Sequence, residues 1–216
     1  MYSRTLLATG LLVATASLAS SAQTTDATPR LYVGAGLSLL SDAPFNSSGP
    51  STIIGPSLTA GVRLSPRWAV QVGGALAWRN VTEIVPPNKT IPIVGALDKH
   101  TATLIIPVLG RFTFAPAPKP FHVEALGGLT VLRAATTNTY TAVPPASTGQ
   151  PAYQQVVLQN QISGNISLGP GVRYTVSPHM EIAAHALVNA VIGYSLAHFT
   201  DRAFLNVQVG AHYTFG

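Results

Sequence analysis

The chain has 216 residues, of which 47% are hydrophobic and only 9% are charged, with a formal net charge of +5 and no cysteine. A soluble domain carries about 25% charged residues, and a chain without cysteine has neither disulfides nor cysteine-based metal or nucleophile chemistry. Its basic residues are scattered singly rather than clustered, which argues against nucleic acid as a partner.

The N-terminal segment has the pattern of a secretory signal peptide. Arg4 precedes an apolar run over 6–18, and the Ser-Ser-Ala sequence at 20–22 offers a small-x-small cleavage site. The run is too short for a good transmembrane helix, and no cysteine follows it that could carry a lipid anchor. We therefore predict a signal peptide at 1–22 and a single domain at 23–216.

The rest of the chain consists of segments in which apolar residues alternate with small or polar ones. A period of two indicates strands with two different faces. Eight strands are predicted, near 31–40, 54–64, 68–79, 101–114, 121–135, 155–176, 180–196 and 203–215. An exported chain that is apolar on average and lacks a spanning helix must satisfy its backbone hydrogen bonds in another way. We therefore predict an all-β fold, an eight-stranded antiparallel up-and-down transmembrane β-barrel.

The third predicted strand carries a tryptophan at each end of its apolar face, Trp68 and Trp78. These two residues are roughly 33 Å apart along a strand, at about 3.3 Å per residue. A tilted strand of that length spans roughly 25 Å, the height of the apolar band of an outer-membrane barrel. Because tryptophan prefers the membrane–water interface, we predict an aromatic girdle, with members Trp68, Trp78, Phe121, Tyr194, Tyr213 and Phe215.

The predicted connections alternate in length. Short connections containing proline lie near 65–67, 115–120 and 177–179, long ones lie near 41–53, 80–100 and 136–154, and the last, near 197–202, is intermediate. Bacterial outer-membrane barrels place short turns in the periplasm and long loops outside the cell, which is the same alternation. Pro107 and Pro170 fall inside predicted strands, where each removes a hydrogen-bond donor, so we expect a bulge or a strained register at each.

The last strand ends in a pattern typical of one group of proteins. Val207, Val209, Ala211, Tyr213 and Phe215 alternate to the end of the chain. This pattern resembles the C-terminal signature of outer-membrane barrels, which the barrel-assembly machinery reads, although here Gly216 follows the phenylalanine. In size and layout the chain resembles the small eight-stranded barrels OmpX, OmpW and the membrane domain of OmpA. The resemblance implies a bacterial outer-membrane location.

Polar side chains on the inward face are expected to form a network inside the barrel. Its predicted members are Arg63, Gln71, Arg111, Glu124, Arg173, Glu181 and His185. Across the hairpins, Arg111 can face Glu124, Arg173 can face Glu181, and Arg63 can approach Gln71. Since buried charges need partners, we favour a structural plug. A gate whose ion pairs switch to admit ions is the alternative.

Catalysis and metal binding are weakly indicated. His122, His185 and His212 face inward, but they lack a ligand spacing on one element. Ser195, His198 and Asp201 lie near the outer end of the seventh strand, where a surface hydrolase could keep a triad, but spacing alone does not identify one. We expect no catalytic residue, no metal and no cofactor.

The sequence thus predicts a non-enzymatic outer-membrane barrel with a structural or surface-interaction role. A narrow gated pore for ions or small solutes and an outer-membrane lipid hydrolase are the alternatives. The expected partners are outer-membrane lipid, lipopolysaccharide and the barrel-assembly machinery, and the protein is expected to be monomeric. Arg133, which faces outward at the outer end of its strand, could meet lipopolysaccharide phosphates or extend to the headgroups.

Overall fold

The computed structural model describes residues 30–42, 51–85, 95–114, 120–142, 152–192 and 203–215, which form a closed barrel. Its strands are β1 (Arg30–Asp42), β2 (Ser51–Arg63), β3 (Trp68–Val85), β4 (Gly95–Thr113), β5 (Phe121–Ala142), β6 (Tyr153–Thr175), β7 (Met180–Val191) and β8 (Ala203–Thr214). Each strand pairs antiparallel with the next, and β8 closes the ring on β1. The predicted eight-stranded up-and-down architecture is confirmed. Within the described ranges, no helix is long and apolar enough to cross a bilayer.

Successive residues of each strand point alternately into the barrel and away from it. In β3, Gln71 is 2% exposed, whereas its neighbour Val72 is 46% exposed. Every strand carries large apolar side chains on its outward face, and most of the buried side chains inside are polar or charged. This distribution is the reverse of that in a water-soluble domain, and it is the one required of a barrel that contacts lipid.

The strands in one half of the ring are longer than those in the other half. β1, β2, β7 and β8 have 12 or 13 residues, whereas β3, β4, β5 and β6 have between 18 and 23. A tilted strand needs only about 9–11 residues to cross a bilayer. The four long strands are neighbours in the ring, so one half of the barrel rises beyond the membrane. We call this part the tall wall.

The tall wall is the main difference from the predicted boundaries. The sequence placed connections near 80–100 and 136–154, but β3 continues to Val85, β4 begins at Gly95, and β5 continues to Ala142. The β5 extension over 136–142 contains four threonines, which favour strands when a pairing partner is present. The predicted signal peptide, and the end of the seventh predicted strand beyond 192, lie outside the described residues.

The short turns share one end of the barrel, which we call the turn end; the other end is the loop end. Two of these turns contain Ser-Pro, at Ser65-Pro66 and at Ser177-Pro178. Ser65 Oγ accepts from the backbone N–H of Trp68 at 3.1 Å, and Ser177 Oγ accepts from that of Met180 at 3.1 Å. In both turns the serine closes the loop and proline fixes the next φ angle.

Pro107 lies inside β4 as predicted from the sequence, but it produces no bulge. On one side of it Val72 pairs with Val108, and on the other Ala75 pairs with Ile105, so the register of β3 and β4 is unchanged. Only the two residue pairs between these are missing from the ladder, because proline has no N–H to donate.

Pro170 interrupts the pairing of β6 with β7 in the same way. Leu168 pairs with Val188 and Gly171 with His185, again without a change of register. Of the two expected outcomes, the bulge is therefore absent at both prolines, and each instead leaves two residue pairs out of the ladder. The barrel loses local hydrogen bonds at these points and keeps every side chain on its predicted face.

Candidate functional site

Five charged side chains near the turn end form one continuous network in the lumen, with alternating signs. In order of contact they are Arg111, Glu124, Arg173, Glu181 and Arg63. Arg111 Nε donates to Glu124 Oε2 at 3.1 Å, and Arg173 Nε donates to Glu124 Oε1 at 2.9 Å. Arg173 Nη1 donates to Glu181 Oε1 at 2.7 Å, and Arg63 donates to Glu181 Oε2. We call these residues the charged cluster.

The charged cluster crosses the lumen from one wall to the other. Arg111, Glu124, Arg173 and Glu181 come from four consecutive strands, β4 to β7, whereas Arg63 comes from β2 on the far side of the ring. Each carboxylate lies between two guanidinium groups, so every charge has an opposite partner, as burial requires, and the cluster as a whole has a formal charge of +1. The Arg63 side chain is 25% exposed, and the other four are at most 9% exposed.

Two uncharged side chains extend the charged cluster toward β1 and β3. Arg111 Nη1 donates to Gln71 Oε1 at 2.9 Å and to Tyr32 Oη at 3.2 Å, and Tyr32 Oη donates to Gln71 Oε1 at 3.2 Å. The Tyr32 ring centroid also lies 5.7 Å from Arg111 Cζ and 5.8 Å from Arg63 Cζ. Both distances permit cation–π attraction, so one tyrosine contacts two of the three arginines.

The structure brings most of the predicted lumen residues together, with one change of partner and one exception. Arg63 contacts Glu181 rather than Gln71, because β2 pairs Arg63 with Ala69 and leaves its guanidinium free to reach across the lumen. His185 faces inward, but no hydrogen bond joins it to the charged cluster. Among the described residues its Nε2 is buried without a partner.

Tyr32, Thr113 and His212 were not among the predicted members of this network, although His212 was predicted to face inward. Thr113 Oγ1 donates to Glu124 Oε1 at 3.2 Å, and the His212 ring lies 5.4 Å from the Tyr32 ring. A signal was available for Tyr32, which is a large inward side chain near the turn end of β1. Its contacts with β3 and β4 depend on closure of the ring, which alternation along one strand does not reveal.

Above the charged cluster the lumen is filled by successive layers of side chains. Leu109, Leu126 and Leu187 form an apolar layer in which each residue is at most 1% exposed. A polar belt follows, in which Thr130 and Ser167 are 2.6 Å apart and Ser167 Oγ donates to Asn189 Oδ1 at 2.6 Å. Nearer the loop end is a second apolar layer, the apolar plug, formed by Leu40, Ala75, Ile105 and Phe204, with Leu132 packed against it.

A glycine makes room for the tyrosine of this network. A Cβ atom on Gly61 would lie 2.4 Å from Tyr32 Cζ and Oη, closer than atoms can approach without displacement. Gly61→Ala should therefore lower the free energy of unfolding by about 1–3 kcal/mol, the usual cost of overpacking.

Urea titration of the barrel in detergent measures this effect. Gly74→Ala is the matched control, because a Cβ on Gly74 has no described neighbour within 4 Å. Equal unfolding free energies for the two variants would contradict the packing of Tyr32 against Gly61.

Five of the six predicted girdle residues point outward, and Tyr194 lies outside the described residues. Trp68, Phe121, Tyr213 and Phe215 are near the turn end, and Trp78 is nearer the loop end. The sequence reasoning omitted other aromatic residues of the turn end: the Trp68 ring packs on Phe112, with centroids 4.9 Å apart, and Phe112 packs on Phe114 at 5.5 Å. The aromatic band of the turn end is therefore broader than predicted.

The described residues contain no candidate metal centre. No group of three or more His, Asp or Glu side chains in those ranges could hold a metal ion. The possible triad of Ser195, His198 and Asp201 lies outside the described residues. The arrangement that remains is a closed lumen, with a charged layer at one end and an apolar layer at the other.

Three of the solved structures that match this chain are bacterial outer membrane proteins. The outer membrane protein OprG of Pseudomonas aeruginosa is 9% identical, with a TM-score of 0.51 over 87% of this chain and 96% of that one. A major outer membrane protein of Thermus thermophilus is 15% identical, with a TM-score of 0.51 over 88% and 100%. The attachment invasion locus protein Ail of Yersinia pestis is 14% identical, with a TM-score of 0.45 over 87% and 97%.

At these identities the similarity extends to the fold alone. A search of curated proteins gives no match. Residues 10–215, however, match the family described as outer membrane protein beta-barrel domain. Three observations indicate the same family: the alternating faces of the strands, the closed ring of eight strands, and this match over most of the chain. The chain belongs to the outer membrane protein beta-barrel family and is a protein of the bacterial outer membrane.

Proposed function

We propose that this protein is a non-enzymatic barrel with a closed lumen and a structural or surface-interaction role at the cell surface. The observation that supports this best is the packing of the lumen. The charged cluster and the apolar plug each fill it, with an apolar layer and a polar belt between them. An eight-stranded barrel has an interior just wide enough for side chains to fill, and here they fill it at several levels.

The tall wall supports the surface role. Every residue of β6 over 153–162 is exposed, including Leu158 at 77% and Ile162 at 66%. Backbone pairing of β6 on the β7 side begins at Gly164, which accepts from Ile192 N–H at 2.9 Å, so within the described ranges residues 153–163 have a strand partner only in β5. Free edges and exposed apolar side chains favour contacts with other molecules. In this protein, the exposed apolar side chains of β6 over 153–162 would lie outside the apolar band of the barrel.

The proposed partners are outer-membrane lipid and lipopolysaccharide around the barrel, with the barrel-assembly machinery acting during biogenesis on a monomer. Arg133 is exposed on the outward face of β5, and its Nε donates to Asn160 Oδ1 at 3.2 Å. The rest of its guanidinium is available to a lipid phosphate, which arginine can bind in a bidentate manner.

Planar-bilayer recording tests the closed lumen. We expect the purified barrel to show no unitary conductance, because ions would have to cross both the charged cluster and the apolar plug. Reproducible channels from the wild-type protein would contradict the proposal. A preparation of a larger porin, reconstituted in the same way, shows that insertion and detection work.

A narrow gated pore is the second candidate, because the charged cluster is built from ion pairs that can exchange partners. If the wild type conducts and Arg173→Met raises the conductance, the pore becomes the better explanation. The fold alone does not separate enzymes from other barrels. Mass spectrometry of lipid A from expressing cells, compared with cells lacking the protein, tests for lipid hydrolysis, and we expect identical spectra.

A further inference from the structure

The inner face of the tall wall contains a cavity that the proposed role does not use. It has a volume of about 250 Å³ and lies between β3, β4 and β5 at the loop end. Leu132 lines the cavity and also packs against the apolar plug. The plug therefore forms the base of the cavity, which is separated from the charged cluster by the filled lumen. We call this cavity the cup.

The cup combines positive charge with hydroxyl groups. Its polar lining includes Arg79, Glu83, Lys99, Thr101, Thr103 and Thr136. Arg79 pairs with Thr101 and Val81 with Lys99, so the two cations lie diagonally on adjacent strands and on one face, about 7–8 Å apart at the backbone. Their long side chains can converge on a single anionic group.

The charges of the cup differ from those of the charged cluster in one respect. In the cluster every arginine contacts a glutamate, whereas in the cup no salt bridge joins Arg79, Lys99 or Glu83 to another described residue. Two cations and one acid give the cup a formal charge of +1. Glu83 lies diagonally to Lys99, as Arg79 does, so it offsets one of the two cations and leaves one net positive charge for an anionic ligand.

We infer that the cup binds a small acidic sugar, namely a single sugar ring that carries a phosphate or a similar anionic group. Arg79 and Lys99 would bind the anionic group. The threonine hydroxyls and the Glu83 carboxylate would bind the sugar hydroxyls, since hydroxyls both donate and accept and a carboxylate accepts. The volume is below the roughly 300–1,000 Å³ of pockets for drug-sized ligands, which suits one ring rather than a chain.

Isothermal titration calorimetry on the intact barrel in phosphatidylcholine nanodiscs tests this inference. The probes are glucose 6-phosphate, inorganic phosphate and glucose. We expect glucose 6-phosphate to bind more tightly than either of the others, since it alone uses both the cations and the hydroxyl groups. Equal affinity for glucose 6-phosphate and inorganic phosphate would overturn the assignment of a sugar, and absence of binding by all three would overturn the site.

The double variant Arg79→Gln with Lys99→Gln should weaken binding of glucose 6-phosphate by about tenfold or more, because two charge-assisted contacts are lost. The double variant Arg30→Gln with Arg67→Gln is the matched control: it also removes two exposed cations, but from the turn end of the barrel. If the Arg79/Lys99 variant binds as the wild type does, or if the Arg30/Arg67 variant weakens binding equally, the cup is not the site.

The same chemistry occurs on a free sugar phosphate and on the phosphorylated sugars of lipopolysaccharide. Repeating the titration in nanodiscs that contain lipopolysaccharide separates these sources. If lipopolysaccharide sugars occupy the cup, glucose 6-phosphate will bind in phosphatidylcholine but not in lipopolysaccharide. Equal binding in both lipids would show that the cup takes a soluble sugar. Neither binding result depends on whether the lumen is closed. The conductance recording therefore tests the proposed function separately from the binding site.

Discussion

Glu124→Gln should be among the most destabilising single substitutions in this barrel. Glu124 accepts hydrogen bonds from Arg111 and Arg173, and its side chain is only 3% exposed. A neutral amide would leave two buried guanidinium groups with only one remaining carboxylate, Glu181. Removing one member of a buried ion network costs roughly 3–5 kcal/mol, which we expect as a loss in the free energy of unfolding.

Urea titration of the folded protein in lipid vesicles measures this loss. Glu83→Gln makes the same chemical change in an exposed residue of the tall wall, where no described residue forms a salt bridge with it. Glu83→Gln should change the free energy of unfolding by no more than about 0.5 kcal/mol, as most surface substitutions do. Similar values for the two variants would show that the charged cluster does not stabilise the barrel.

Val72→Arg should impair assembly because it places a charge on the lipid-facing surface. Val72 lies on the outward face of β3 between Trp68 and Trp78, the two residues that mark the ends of its apolar band. Arginine at the bilayer midplane costs about 2–4 kcal/mol in such barrels and much less near the interfaces. We expect a lower yield of folded protein in vesicles and a lower free energy of unfolding.

Ile84→Arg provides the matched control on the same strand and the same face. Ile84 is 76% exposed and lies beyond Trp78 on the tall wall, where arginine would be in water. Its folding yield should match that of the wild type. If Val72→Arg and Ile84→Arg fold equally well, either β3 is not oriented across the membrane as its tryptophans indicate, or the apolar band ends elsewhere.

Most of the barrel could be predicted from the sequence because the relevant pattern is local. Alternation with a period of two requires no knowledge of neighbouring strands, and it assigned Gln71 and Val72 to their observed faces. The height of the tall wall was not predicted, because residues such as 136–139 are as polar as a loop. Their strand conformation depends on cross-strand hydrogen bonds to β4 and β6, which a single segment does not reveal.

The same limit applies to the candidate site. Contacts within a hairpin follow from a short turn, and this reasoning placed Arg111 opposite Glu124 and Arg173 opposite Glu181. Contacts across the lumen, such as Arg63 with Glu181 and Arg111 with Tyr32, require the closed ring. The cup depends on the tall wall, so it could not be identified before the wall was known.

The difference in height between the two halves of the barrel also allows them to vary independently. In the ranges that the structure describes, residues of the tall wall beyond the membrane pair only with each other, and the register of β5 with β6 is continuous from Phe121 to Ala142. Deleting two residues from each arm of that hairpin would shorten it by about 7 Å along the strand and leave every side chain on its original face. The exposed height can thus be changed in steps of two residues, by evolution or by engineering, while the lipid-facing strands stay the same.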